Sequence, residues 1–292
     1  MNTAPQAVTV LNFDHTYDTQ NQLQLPEFDW IDFTDLTGTM KYCEWQSFYA
    51  IQERLHKREK KGITFLGSGD YHYVTFLLLS ELRRPFTLIL YDNHTDVIQS
   101  SFFSSLITCG SWVLWALEQL PMLQKAVIIG AQLQLIQQIP PHLKEKIAVF
   151  PNDSLVFSDT EAYRRQILRE IPTNSVYISV DKDVLNKKYA ATNWDHGKME
   201  LPDLLESIRS IAAHKSIAGV DICGEYPSSP LDVLQTKNQQ MMARNSEANE
   251  ALLEVLQSLP TPVGYTRQQK SSTIVSKESA NSLPHRPKTP ST

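Results

Sequence analysis

Cysteine is scarce. Cys43, Cys109 and Cys223 are the only three, widely spaced and with no C-x-x-C, which argues against a disulfide framework or a thiolate zinc cage and fits a reducing compartment. Positive charge is in deficit, with 27 Lys and Arg against 32 Asp and Glu and a net charge of −5. That sign is opposite to a phosphate-binding surface, so nucleic acid is not an expected partner. A run of about 18 apolar residues, the length a membrane span needs, is also missing, and Met1 to Pro5 hold no basic cluster leading into an apolar stretch. The chain reads as soluble and cytoplasmic, with no membrane partner.

Apolar residues make up 41% and charged residues 20%, enough to build a core and far from the composition of a disordered chain. The exception is the stretch from Arg267 to Thr292, rich in Ser, Thr, Pro, Lys and Gln. It carries Arg267, Lys270, Lys277, Arg286 and Lys288 against the single acid Glu278, and reads as a solvated, disordered basic tail. Residues 1–266 are read as one folded domain. Short apolar runs alternate there with amphipathic stretches, the pattern of a parallel α/β protein. Strands are expected at Ala7–Phe13, Ile63–Leu66, Phe86–Tyr91, Ala126–Gly130, Ile147–Phe150, Ser175–Val180 and Ile217–Ile222. Helices are expected at Glu44–Lys60, Val74–Leu82, Ser111–Leu120, Thr160–Ile171, Pro202–His214 and Ala243–Leu259.

Ligands of parallel sheets bind beyond the carboxyl ends of the strands, and four of the segments that follow apolar runs are unusually polar. Asp92-Asn-His94-Thr-Asp96 follows Tyr91; its three side chains recur every second residue and share one side of an extended chain. Asp181-Lys-Asp183 follows Val180 with the same spacing. Gly67-Ser-Gly-Asp-Tyr-His72 delivers an imidazole after a glycine-rich turn, and Asp221-Ile-Cys-Gly-Glu225 closes the last run. Four carboxylates converging on one crevice repel one another. Two divalent ions would cancel that charge, and His72 and His94 would complete an oxygen and nitrogen shell suited to Mn²⁺, with Fe²⁺, Co²⁺, Ni²⁺ or Zn²⁺ as alternatives.

The ordered set G-x-G-D-x-H, D-x-H-x-D, S-x-D-x-D and G-x-D-x-x-x-E, between Ile63 and Tyr226, resembles the ureohydrolases: arginase, agmatinase and formimidoylglutamase. The resemblance implies a three-layer αβα sandwich with a mostly parallel, about eight-stranded sheet, as in arginases and deacetylases, and a binuclear manganese centre. It implies His72 and Asp96 on one ion, His94 and Asp183 on the other, and Asp92 and Asp181 bridging them. A hydroxide held between the ions, oriented by Asp96, would attack a guanidine, amidine or formimidoyl carbon, and Glu225 would pair with the small cationic guanidino or amidino substrate. Homo-oligomers are common in the family.

Three departures qualify this. Tyr71 intervenes where the family reads G-G-D-H, Asn186-Lys187 stands where Asp-Pro is usual, and Cys109-Gly110 occupies the place of a proton-shuttling His-Gly. A helix starting at Ser111 would lower the Cys109 pKa and make the thiol a proton carrier or nucleophile; the alternative is a small residue beside a turn. His196, in the loop Ala191–Gly197, would replace the missing shuttle or simply face solvent. Asp14 and His15 either touch a substrate or cap a turn. The competing readings are a metal-dependent amide deacetylase and a catalytically inactive binding or regulatory protein.

Overall fold

Strands apolar along their whole length are stable only where both faces of the sheet are covered, and the alternation of such runs with amphipathic helices sets the layers here. In the computed structural model, residues 6–58, 61–99, 106–153, 160–227 and 235–259 are described. The chain runs β1 (Ala7–Asn12), β2 (Asp29–Asp32), β3 (Tyr42–Cys43), α1 (Trp45–His56), β4 (Gly62–Phe65), α2 (Val74–Ser80), β5 (Phe86–Tyr91), β6 (Ile107–Thr108) and α3 (Trp112–Gln119). It continues through β7 (Leu123–Ile129), β8 (Ile147–Phe150), α4 (Thr160–Arg169), β9 (Ser175–Asp181), α5 (Leu201–His214), β10 (Ser216–Cys223) and α6 (Thr236–Ser258).

Eight strands form one sheet in the order β2-β1-β4-β10-β9-β5-β7-β8, and every pairing in it is parallel. The expected mostly parallel α/β sheet is therefore present. Within β5, Leu88 and Leu90 pack with α1, α2 and α3 through Phe48, Phe76 and Trp112. Ile89 and Tyr91 point the other way, to Ile167 of α4, Leu204 and Ile208 of α5 and Leu252 of α6. Period-two alternation thus feeds two cores from one strand, each fully buried large apolar side chain stabilising by about 1.5–3 kcal/mol.

Three strands and part of one helix depart from the sequence expectation. β2, Asp-Trp-Ile-Asp, is an edge strand paired only with β1, and its acids suit an edge that must not recruit another strand. β3 and β6 form a separate two-residue antiparallel ribbon, Tyr42 opposite Thr108 and Cys43 opposite Ile107, too short to leave a periodic signal. α6 begins at Thr236 rather than Ala243. Its inward positions Asn238, Asn245 and Asn249 are buried, so the early turns face the protein with amides and carry no apolar stripe. The tail expected from Arg267 lies outside the described residues.

Candidate metal centre

The crevice lies over the four adjacent central strands β4, β10, β9 and β5. β5 ends at Tyr91 and the chain stays irregular through Asp96, presenting Asp92, His94 and Asp96. At Asp96 the backbone enters the left-handed region, φ 50°, uncommon for a residue with a side chain and a form of strain that clusters at functional sites. β9 delivers Asp181 at its last position, and the following 3₁₀ turn, Lys182–Val184, delivers Asp183. After β4, a 3₁₀ turn over Gly69–Tyr71 ends at His72. The extra Tyr71 is absorbed by that turn: its ring stacks on Phe13 at 4.4 Å, and the next residue, His72, points into the cluster.

His72 Nδ1 lies 3.3 Å from Asp92 Oδ2, 3.4 Å from Asp96 Oδ2 and 3.5 Å from Asp181 Oδ2. His94 Nδ1 lies 2.8 Å from Asp183 Oδ2 and 3.4 Å from Asp92 Oδ1. The six residues expected to gather do so, as two nitrogen and oxygen nests joined by the two oxygens of Asp92. Asp92, Asp96, Asp181, Asp183 and His72 are all buried; His94 is partly open, with 24% of its side chain exposed.

Two features fit divalent cations. Asp183 Oδ2 is buried without a hydrogen-bond partner despite facing His94, and a buried carboxylate oxygen left unsatisfied is costly. Ligand atoms from His72, Asp92 and Asp96, from Asp92, His94 and Asp183, and from His72, Asp181 and Cys223 each converge within 4.8 Å. In the metal-free protein the cluster holds protons instead. Burial disfavours the charged His72 imidazolium, yet Asp92, Asp96 and Asp181 raise it to about 10. Burial likewise opposes charge on His94, and Asp183 and Asp92 raise it to about 12. Asp96 and Asp183 are pushed well above the usual carboxylate range by burial and then by neighbouring carboxylates.

Supporting groups fix this arrangement. Ser179 Oγ stands 2.9 Å from His72 Nε2 and donates to Asp221 Oδ1 at 2.6 Å, so a serine and a buried acid orient the ring from behind. Trp112 Nε1 donates to Asp96 Oδ2 at 2.6 Å. The amides of Asn93 and Asp183 donate to Asp183 Oδ1 and Asp181 Oδ1, both at 2.9 Å. Gly224 has φ +87°, and a Cβ there would lie 2.4 Å from Asp181 Oδ1, so only glycine lets the β10 exit pass this close. Of these, Ser179 is legible as the first residue of S-x-D-x-D. Trp112, within the helix expected at Ser111–Leu120, carries no pattern that announces its bond to Asp96.

One expectation needs correction, and the remaining candidates find partners of their own. Glu225 is not available to a cation: its buried carboxylate is ion-paired to the buried Lys182 ammonium. It also accepts from Asn249 Nδ2 at 2.6 Å and Gln20 Nε2 at 3.2 Å. Lys182 points away from its neighbours Asp181 and Asp183, as alternation at a strand end dictates, and takes Glu225 with it. In the metal-free protein, burial and then Asp96, Asp70 and Asp181 push the Cys109 pKa up, against the lowering expected from the helix that follows. His196 Nδ1 is engaged by the Leu185 carbonyl at 3.2 Å. Asp14 accepts from the Thr16 amide at 3.3 Å, and exposed His15 pairs with Asp18 at 3.0 Å, so both cap a turn.

The Arginase family model matches residues 2–243. An uncharacterized protein of Thermotoga maritima is 33% identical over 227 residues, 76% of this chain and 80% of that protein. Among solved structures, formimidoylglutamase from Bacillus subtilis superposes with a TM-score of 0.65 at 16% identity, covering 89% of both chains. Agmatine ureohydrolase of Thermoplasma volcanium gives 0.60 at 16% identity over 87% and 90%. Arginase from Bacillus cereus gives 0.59 at 14% identity over 85% of this chain and 98% of its own.

Proposed function

This chain belongs to the arginase family, and from that premise we propose that it is a hydrolase of a linear, non-peptide C–N bond, working with two divalent cations, Mn²⁺ by preference. The observation that carries the proposal is the joining of two imidazole–carboxylate nests by Asp92, which lies 3.3 Å from His72 and 3.4 Å from His94. His72, Asp92, Asp96 and Asp181 would hold one cation, and His94, Asp92, Asp181 and Asp183 the other. When bound, the cations supply charge to offset the carboxylates and a water made acidic enough to be nucleophilic near neutral pH.

The chain's own residues set the rest. Asp96, fixed by Trp112 Nε1 and shielded from water, orients the nucleophile and accepts its proton. Ser179 and Asp221 hold His72 in the tautomer that leaves Nδ1 facing the carboxylates, the usual task of partners behind a ligating histidine. His196, half-buried at the end of the loop that carries Trp194, is assigned the exchange of that proton with solvent. The candidate substrates are guanidines, amidines and formimidoyl compounds; neutralisation of Glu225 by Lys182 also favours an uncharged amide.

The test is turnover by Mn²⁺-loaded protein offered guanidines, agmatine-like amines, formimidoyl acids and simple amides, read as urea, ammonia or amine release. Hydrolysis of at least one class, abolished in Asp181→Asn, supports the proposal. Failure of all classes in metal-loaded protein contradicts it and favours a binding or regulatory role.

A further inference from the structure

A cavity of about 1190 Å³ opens beside the cluster, lined in part by Lys41, Cys109, Leu114, Trp115, Glu118 and Trp194. It is large enough for a small organic molecule. Trp194 is a wall of the cavity that touches the metal centre. Its ring lies 5.6 Å from that of His94, its Nε1 donates to Asp70 Oδ1 at 3.0 Å, and a Cβ on Gly69 would meet both Trp194 and Asp181. A ligand in this cavity therefore lies against the ring that borders the cluster.

The cavity's described lining carries one charge of each sign. Glu118 and Lys41 are the charged residues among its described lining, and Glu118 is paired to His142 at 3.0 Å. Lys41 has no carboxylate partner among the described residues; its ammonium stands over the Trp194 ring, 5.4 Å from the centroid. The backbone holds it there at some cost: Lys41 has φ +67°, a conformation a lysine rarely adopts. Two hydrogen bonds maintain it, Lys41 N to the Asp70 carbonyl at 3.1 Å and Cys109 N to the Lys41 carbonyl at 2.9 Å. Strain kept in place by its surroundings, at a residue lining a cavity, is the pattern of a functional position. Glu225, the acid that would receive a cationic substrate, is already neutralised by Lys182.

We propose that the substrate carries a carboxylate on an apolar or aromatic body, with Lys41 receiving the carboxylate, Trp194 and Leu114 packing the body, and the scissile C–N group directed to the metal cluster. This rests on the hydrolase reading above. Lys41 is then a specificity residue that touches the substrate away from the reacting atoms, and positively charged guanidino chains are selected against.

The test uses full-length, Mn²⁺-loaded protein. Binding is measured by calorimetry with 4-ethylbenzoate and 4-ethylbenzamide, which lack the scissile group, and turnover with N-benzylformamidine and its para-carboxylate. The carboxylate of each pair is expected to be favoured by about tenfold or more, the size of one charge-assisted contact. That preference should disappear in Lys41→Met and persist in Lys41→Arg. A benzoate that binds the metal ions directly would be indifferent to Lys41→Met, and that result overturns the inference, as does binding of neither compound. Lys41-dependent binding without hydrolysis of either formamidine would leave the cavity assignment standing and remove the catalytic reading; hydrolysis without Lys41 dependence would do the reverse.

Discussion

Lys182 and Glu225 form an ion pair inside the fold, with side chains 0% and 2% exposed, and Asn249 of α6 bonds to both, accepting from Lys182 at 2.9 Å and donating to Glu225 at 2.6 Å. Two desolvated charges are tolerated only as a pair, and removing one partner strands the other. Lys182→Ala is therefore expected to cost about 3–5 kcal/mol in a denaturant titration, with Lys182→Met combined with Glu225→Leu recovering much of the loss. A single substitution as mild as that of a surface lysine would show that the pair does not hold α6 to the sheet.

Ser179 predicts a separable effect on the metal centre. Its hydroxyl is the link between Asp221 and His72 Nε2, so Ser179→Ala should leave the first ring of ligands intact yet weaken Mn²⁺ binding by about 10–100-fold. Equilibrium dialysis against graded Mn²⁺ measures this. Unchanged affinity would mean that packing alone orients the ring.

All three cysteines are expected to be poor nucleophiles. Burial raises the Cys43 thiol to about 12 and raises Cys109 and Cys223 as well, the latter two with help from nearby carboxylates. Only the thiolate reacts. Metal-free native protein at pH 7 should therefore be alkylated by iodoacetamide more slowly than free cysteine, and Cys109→Ser should retain turnover. Rapid, stoichiometric labelling of Cys109 would restore the nucleophile reading.

Metal uptake should release protons. His72 and His94 have pKa values raised from 6.5 to about 10 and about 12 in the metal-free protein, so at pH 7 both carry a proton that a ligating nitrogen must lose. Apparent affinity therefore rises with pH through neutrality, and calorimetry in two buffers of different ionisation enthalpy should give at least two protons released per chain. Stability of the metal-free fold runs the other way: the contribution of the charged His72 is complete below about 6.5 and is lost as pH rises through about 10. Metal-free protein that gained stability across that range would contradict the assignment.

What could be read from residues alone follows from how local each signal is. The strands of the sheet centre are continuous apolar runs, and the metal-facing residues sit at period-two spacing directly after them, so both are written in short segments. Ser179 is visible in the same way. Lys182 held a cue, a lysine between two acids at the end of a buried strand, but its partner Glu225 and its neighbour Asn249 lie 43 and 67 residues away, and only the fold reveals that Glu225 is spent. The same is true of Lys41: its position beside Trp194 depends on the two-residue ribbon of β3 and β6, which leaves no periodic trace. For the Cys109 thiol the helix terminus is a local feature, whereas burial and the carboxylates that raise its pKa come from distant segments.

The central claim is that one shared carboxylate cluster holds two cations. Elemental analysis of protein loaded with Mn²⁺ and dialysed free of excess, run beside Asp92→Ala and Asp181→Ala, tests it most directly. The account predicts two ions per chain in the parent and loss of both in each variant, because Asp92 joins the two nests and Asp181 is proposed to serve both cations. A parent chain that retains no ion, or variants that keep two, would contradict it.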